Sequence, residues 1–555
     1  MNYIVRNFKF ILIILTLVGG LLRFYNLNWG SPYYFHPDER NIASSISQLK
    51  FPGQMNPNFF AYGSLPIYAV YFTGLILNFL SSPQIFISQS VENFQLPFDQ
   101  AIIISRFFSA FFSTIIILLI YQIGEKIHSK AVGLLAAFFT TTSVGLIQFS
   151  HFGTFEIWIT FFCLLLFYVS VKAIHHFDTK KMLFAGLALG SLISIKISNI
   201  VLIILPILNL MIKTKKTSLE KSKFELTKTV LRKITYIILI IGAAMLFFLI
   251  TNPFTFLDFS SFKSSMDYES KVALGEIDVF YTHEFFDTTP ILFQFMRVYP
   301  FLLNPPLTII FIPSFFYILW ITLKARNKLY LLLTTYYLLL FLSQAFLFVK
   351  WTRYLVPTLP FVYLIIAIAT ISFGGKFSKI SSIKYQALRI LGLFCIIFTL
   401  SYYQTVLKKP DTRIEAAVWA KNKLPSNSKI VSESYDLGII TFNPHFSNIA
   451  LCDIYHLEKN DYPCNGFSLP ETLSETDYII LPSERIMKMA LLKKSRFPKR
   501  YSLYASFFDS SQYKLIYKTP CDIFCKIIYI NDSMLSFEQT ANVFDRPTVY
   551  ILKKI

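Results

Sequence analysis

The sequence predicts a polytopic α-helical membrane protein with a small α/β domain at its C-terminal end. Three observations predict it. Of 555 residues, 54% are hydrophobic and only 15% charged, against about 25% charged in a soluble domain. Phe supplies 59 residues and Tyr 32, more apolar surface than a soluble chain can cover. Long apolar runs recur up to residue 406 and stop near Asp411. An ordinary cytosolic enzyme, a disordered chain and a small disulfide scaffold are thereby excluded. The formal charge of +20 would suggest nucleic acid in a soluble protein. In a membrane protein it marks cytoplasmic loops, so no nucleic-acid partner is expected.

A spanning helix needs about 20 mostly apolar residues. The first run, 8–22, starts among Arg6 and Lys9 and has no small-x-small cleavage site after it. It reads as an uncleaved helix with its N-terminus inside. Further runs occupy 101–122, 131–149, 155–173, 234–251, 302–323, 329–349, 354–373 and 386–406. Stretches rich in Lys and Arg at 126–130, 172–181, 213–233, 324–328 and 376–389 are assigned to the cytoplasm. If 62–80 crossed the membrane, 126–130 would fall outside, so 62–80 is expected to lie along the outer surface. Pro66 and Gly74 suit such an interfacial helix. The run 182–212, about 46 Å as one helix, has basic residues at both ends. It reads as two short passes meeting at 194–198, with Lys196 at the outward tip. The expectation is about eleven passes, N-terminus inside and C-terminus outside.

Residues 1–406 then form a membrane domain with outer loops at 25–100 and 252–300, and 407–555 a soluble α/β domain. Strand-like runs occur at 429–432, 478–481 and 549–552, with a helical stretch at 414–423. Cys452, Cys464, Cys521 and Cys525 all lie in this domain. An even set on the outer side suits two disulfides. The local pairing, Cys452 with Cys464 and Cys521 with Cys525, is one of three. Four thiols or a zinc site are the alternatives, and Cys521-x3-Cys525 allows zinc.

Polar residues gather on the outer side of this topology, where charged groups are costly unless paired or wetted. His36, Asp38 and Glu39 lie in the first outer loop. Asp38 and Glu39 are adjacent, so on a helix they point about 100° apart and one of them faces a given substrate. Pro37 fits the first turn of a helix, which favours a carboxylate there. An ionised carboxylate at a membrane face can take a proton from an attacking hydroxyl. His151 and Glu156 lie between two passes. Glu156 can pair with a cation, join Asp38, or bind a divalent metal with His36 or His151; no fixed metal spacing exists, so metal dependence is left open. Lys196, Lys350, Arg353 and Arg106 are the outward cations. They suit the negative charge of a departing phosphate, or snorkel to headgroups.

An ordered series of segments carries a resemblance. It comprises FHPDERNIA (35–43), SLPIYAVYFTGLILNF (64–79), SRFFSAFFSTIIILLIYQIGEKIHSKAVGLLAAFF (105–139), QFSHFGTFEIWITFFCLLLF (148–167), GLALGSLISIKISNIVLIILP (186–206) and KWTRYLVPTLP (350–360). The chain resembles the GT-C superfamily of polyprenyl-phosphate-dependent glycosyltransferases, nearest to family 39, the protein O-mannosyltransferases and aminoarabinose transferases. The likeness spans 8–406; the order, not any single motif, is specific. It implies a helical membrane core, a cavity opening outward and a sugar donor on polyprenyl phosphate. It also implies that Asp38 matches the catalytic acidic position of the first loop. Glu156 stands where many relatives carry Asp. Ser64-Leu65-Pro66 stands where aminoarabinose transferases carry a lysine before Pro-Pro-Leu. The tail lacks the β-trefoil repeats of eukaryotic protein mannosyltransferases, which favours a prokaryotic plasma membrane. Instead, DTRIEAAVWAKNKLP (411–425) resembles the start of outer soluble domains in bacterial relatives.

The function expected is transfer of a hexosyl or pentosyl group, with inversion, from a polyprenyl-phosphate donor to a lipid, glycan or protein acceptor at the extracytoplasmic face. Two other classes stand beside it. A lipid-linked sugar transporter or flippase would show internal repeats and midplane charges; here the charges gather at one face. A non-catalytic assembly or sensor protein would tolerate changes at Asp38 and depend on 411–555.

Overall fold

The computed structural model of the protein describes residues 7–81, 94–174, 176–212, 223–373, 381–530 and 537–555, without the side chains of 223–227, 373 and 381–385. Arg6 and parts of the basic stretches at 213–233 and 376–389 lie outside the described residues. The chain divides into two compact units. The first comprises Met1–Leu27, Asn41–Glu276 and Thr289–Ile397; the second comprises Asn28–Arg40, Ile277–Thr288 and Phe398–Ile555.

The first unit is helical, and its helix ends are marked by side chains that satisfy free backbone N–H groups. Ser129 accepts from Val132 at the start of Lys130–Thr141, and Ser143 from Leu146 at the start of Val144–Ser150. Asp178 accepts from Lys181 ahead of Thr179–Ile195, and Asn327 from Leu329 and Tyr330 ahead of Lys328–Ala345. The helices Phe98–Ile127 and Lys130–Thr141 meet at two glycines; a Cβ on Gly124 would lie 2.7 Å from the Gly133 Cα. Large apolar side chains face outward without protein cover, among them Leu21, Ile250 and Leu323, each at least 70% exposed. That is the surface a bilayer covers.

Among the described residues, seven helices are long and apolar enough to cross a membrane, or eight if Lys130–Thr141 and Val144–Ser150, bent by 55°, are one span. The sequence predicts about eleven. Part of the difference is length: Phe8–Phe24 and Thr179–Ile195 have 17 residues each, about 26 Å, the low end of what a bilayer needs. Ser64–Ser81, expected along the surface, has the length and apolarity of a span. The run 182–212 does break within 194–198. The helix Thr179–Ile195 ends at Lys196, whose backbone is extended, and a 3-10 turn, Ile197–Ile203, leads into Ile204–Met211. The stretch 252–300, expected as an outer loop, is not an open loop. It holds the helix Phe259–Leu274, closed by Gly275 in the left-handed region, and Asp267 pairs with Lys271 at 2.6 Å.

The second unit is built on a five-stranded sheet in the order β2-β1-β3-β5-β4. The strands are β1 (Ile430–Glu433), β2 (Ile449–Cys452), β3 (Tyr478–Leu481), β4 (Tyr513–Lys518) and β5 (Tyr550–Lys554). β1 pairs parallel with β2 and β3, and β5 pairs antiparallel with β3 and β4. Side chains alternate between the two faces. Ile430, Ile480 and Ile551 pack with Ala416 and Ala420 of the helix Thr412–Lys423. Val431, Ile479, Leu481 and Leu552 pack with Ile486, Met487 and Tyr504 from the helices Arg485–Leu492 and Pro498–Phe507. Covering both faces explains why β1 and β3 are buried throughout. Disulfides join Cys452 to Cys464 and Cys521 to Cys525; Cys163 and Cys395 are buried free thiols in helices.

Candidate active site

Glu156 is the first residue of the helix Glu156–Ala173 and is 4% exposed. A helix N-terminus favours its negative charge. Its Oε1 accepts a hydrogen bond from the Tyr62 hydroxyl at 2.9 Å, while its Oε2 is buried with no partner among the described residues. Tyr62 is set by the residue after it. The Gly63 N–H donates to the Ile195 carbonyl at 2.8 Å, and a Cβ on Gly63 would sit 2.1 Å from the Ser194 carbonyl oxygen. Next in the chain, the Ser64 N–H donates to Asn252 Oδ1 at 2.6 Å, and Thr251 donates to Ser194 at 2.8 Å. The turn at 62–64 and the break at Lys196 are thus pinned together.

Lys196 projects from that break. Its ammonium lies 5.6 Å from the Tyr62 ring centre and 4.9 Å from that of Tyr354. Cations bind such ring faces through the ring quadrupole. On the next segment, the Arg353 guanidinium lies 4.5 Å from the centre of Trp351 and 5.7 Å from that of Tyr354. Tyr354 is therefore flanked by two cations, one of which also faces the tyrosine that holds Glu156. Lys350 is buried at the start of this segment and donates to the Phe348 carbonyl at 2.9 Å.

The other expected residues take different places. Arg106 is fully buried and donates to the Leu27 carbonyl at 2.8 Å. His151 caps the helix Val144–Ser150, and its ring nitrogens lie 2.8 Å from the carbonyl oxygens of Ile147 and Tyr25. Both ring nitrogens of His151 thus face backbone carbonyls. Among the described residues, no group of three or more His, Cys, Asp or Glu side chains is placed to hold a metal ion.

His36, Asp38 and Glu39 belong to the second unit. Pro37 opens the helix Pro37–Ser47, with Asp38 and Glu39 in its first turn. Asp38 is half-buried and Glu39 is 1% exposed, so of the two Asp38 presents the more accessible carboxylate. His36 is buried, its ring 4.1 Å from that of Phe544. Arg40 donates to the Tyr33 carbonyl at 2.6 Å.

Sequence reasoning missed Tyr62, Tyr354 and Arg23. With 32 tyrosines in the chain, residue type gave no signal, and Tyr62 lies 94 positions from Glu156. Arg23, in the last turn of the apolar helix Phe8–Phe24, was legible as an ion in a membrane segment. It is fully buried and donates to Ser113 Oγ and the Thr140 carbonyl, each at 2.7 Å, and to the Gly19 carbonyl at 3.0 Å.

A protein-family model, that of the dolichyl-phosphate-mannose-protein mannosyltransferases, matches residues 98–232. No curated protein sequence matches the chain. Among solved structures, the chain is similar to the apo oligosaccharyltransferase of Archaeoglobus fulgidus at 12% identity, over 99% of this chain and 88% of that one, with a TM-score of 0.51. The complex of the A. fulgidus oligosaccharyltransferase AglB with an inhibitory peptide and a dolichol-phosphate is similar at 11% identity, over 99% and 88%, with a TM-score of 0.50. ArnT from Cupriavidus metallidurans bound to undecaprenyl phosphate is similar at 11% identity, over 99% and 97%, with a TM-score of 0.41. The chain is an integral membrane protein with the fold of the GT-C glycosyltransferases.

Proposed function

We propose that the protein transfers a sugar from a polyprenyl-phosphate donor to an acceptor hydroxyl at the extracytoplasmic face of a prokaryotic plasma membrane, with inversion. The carrying observation is Lys196, held at the break after Ile195 with its ammonium 4.9 Å from the Tyr354 ring centre. An aromatic face positions the Lys196 ammonium without neutralising it, so its charge stays available to an anion. In the reaction, the anomeric carbon–oxygen bond to the phosphate breaks and the phosphate leaves with the electron pair. Lys196, Arg353 and Lys350 stabilise that charge. The acceptor oxygen bonds to the anomeric carbon from the opposite face, and its proton passes to Asp38. Asp38 holds this role from its motif and its half-buried place in the first turn of Pro37–Ser47. Glu156, fixed by Tyr62, orients the acceptor. The protein of the A. fulgidus complex binds a dolichol-phosphate, and the matching family model is named for a mannosyl donor on that lipid; both support a lipid-phosphate donor here.

The test is sugar release from a panel of labelled polyprenyl-phosphate sugars by the purified chain in lipid. Asp38→Asn is expected to lower turnover at least about a hundredfold with the protein folded and inserted. Wild-type turnover by that variant removes Asp38 from the mechanism, and movement of the donor without sugar release favours a transporter.

A further inference from the structure

The last helix able to cross a membrane is Gln386–Leu407, and from Phe398 onward it belongs to the second unit. That unit is tied directly to the end of the span. The Tyr402 hydroxyl donates to Asp545 at 2.7 Å. Lys409, two residues beyond the helix, donates to Asp522 at 2.6 Å. Asp522 in turn caps the short helix Ile523–Ile528, accepting from the Cys525 N–H at 2.9 Å. The Cys521–Cys525 disulfide closes the same turn.

This short helix is apolar on the side away from its own domain. Cys525, Ile528 and Tyr529 are buried. Ile523, Phe524, Ile527 and Ile530 are 63%, 39%, 36% and 44% exposed. Exposed Lys408 and Lys526 flank them. A helix on a water-facing domain turns charged residues outward; here the apolar face is outward. Distance identifies what covers it. Two residues reach about 7 Å, and one ion pair then links Lys409 to the helix. The interfacial layer on each side of the hydrocarbon core is about 5–8 Å thick, and interfacial helices bury their apolar face about 5–10 Å into it, with Lys at the headgroups. We propose that Ile523, Phe524, Ile527 and Ile530 insert into the lipid leaflet at the C-terminal end of the last span, making the soluble unit a second, monotopic contact with the bilayer. The proposal rests on the membrane reading of Gln386–Leu407 and not on the reaction proposed above.

The test places the photo-crosslinking residue p-benzoylphenylalanine at position 524 of the full chain. The chain is reconstituted in vesicles of phosphatidylcholine and phosphatidylglycerol. The same probe at Phe467, 65% exposed in the turn after Cys464, is the control. Lipid adducts are expected at 524 at least about tenfold above those at 467. Equal yields, or adducts at 524 to a second polypeptide instead of lipid, overturn the proposal. If position 524 does not tolerate the probe, Ile523→Trp in vesicles of brominated phosphatidylcholine reads the same contact. Quenching beyond that of the five native tryptophans supports it; no added quenching overturns it.

Discussion

The two units handle buried cations differently. In the second unit some meet carboxylates, although Arg546, also buried, donates to the Pro520 carbonyl. Arg413 holds Asp411 through two nitrogens, at 2.8 and 2.6 Å, with both side chains at most 3% exposed, and Lys488 lies 3.4 Å from Glu284. In the membrane unit, Arg23 meets a hydroxyl and backbone carbonyls, and Arg106 and Lys350 donate to carbonyls of their own surroundings. Two of its ion pairs, Lys181 with Asp178 and Lys271 with Asp267, are partly exposed. A carboxylate is expensive to carry into a bilayer, whereas a helix end offers carbonyls at no such cost. Lys196 differs from these, its ammonium set against the rings of Tyr62 and Tyr354.

The comparison can be broken at matched sites. Arg413→Met leaves Asp411 buried and unpaired, so it is expected to destabilise the protein by about 3–5 kcal/mol. Arg23→Met removes hydrogen bonds to neutral groups and is expected to cost about 1–3 kcal/mol. Thermal unfolding in mild detergent measures both, and a larger loss for Arg23→Met would contradict the distinction. Tyr62→Phe removes the hydroxyl held by Glu156 and is expected to lower sugar transfer about tenfold, equivalent to about 1.4 kcal/mol, with the folding temperature unchanged.

A smaller effect belongs to pH. Glu433 is the last residue of β1, fully buried, and the Tyr504 hydroxyl donates to it. Burial raises its carboxyl from 4.5 to about 8, outweighing the lowering by Tyr504. The folded unit therefore holds this proton more tightly than the unfolded chain. Its stabilising contribution is complete below about 4.5 and is lost as pH rises through about 8. Glu433→Gln is expected to flatten the fall in folding temperature across that window; an unchanged slope assigns it to other groups.

Legibility in the sequence followed the same division. The strands found near 429–432, 478–481 and 549–552 are β1, β3 and β5, the interior of the sheet. The two missed, β2 and β4, are its edges. β4 carries two lysines among its six residues, as edge strands often do, whereas β2 is apolar but only four residues long. The break at Lys196 was legible because the basic residues at both ends of 182–212 call for two short passes meeting at 194–198. The Tyr62–Glu156 bond was not, because nothing local links residues 94 positions apart. Nor does the sequence display that 28–40 and 277–288 belong with the C-terminal unit, since both are far from it along the chain.

Lys196, set against Tyr354, is the cation proposed to serve a lipid phosphate. Binding of a sugar-free polyprenyl phosphate to the purified chain tests it without requiring the right sugar or acceptor. Lys196→Gln is expected to weaken that binding at least about tenfold, equivalent to about 1.4 kcal/mol for a lost charge-assisted contact, with folding temperature retained. Equal affinity in the wild type and the Lys196→Gln variant would contradict it.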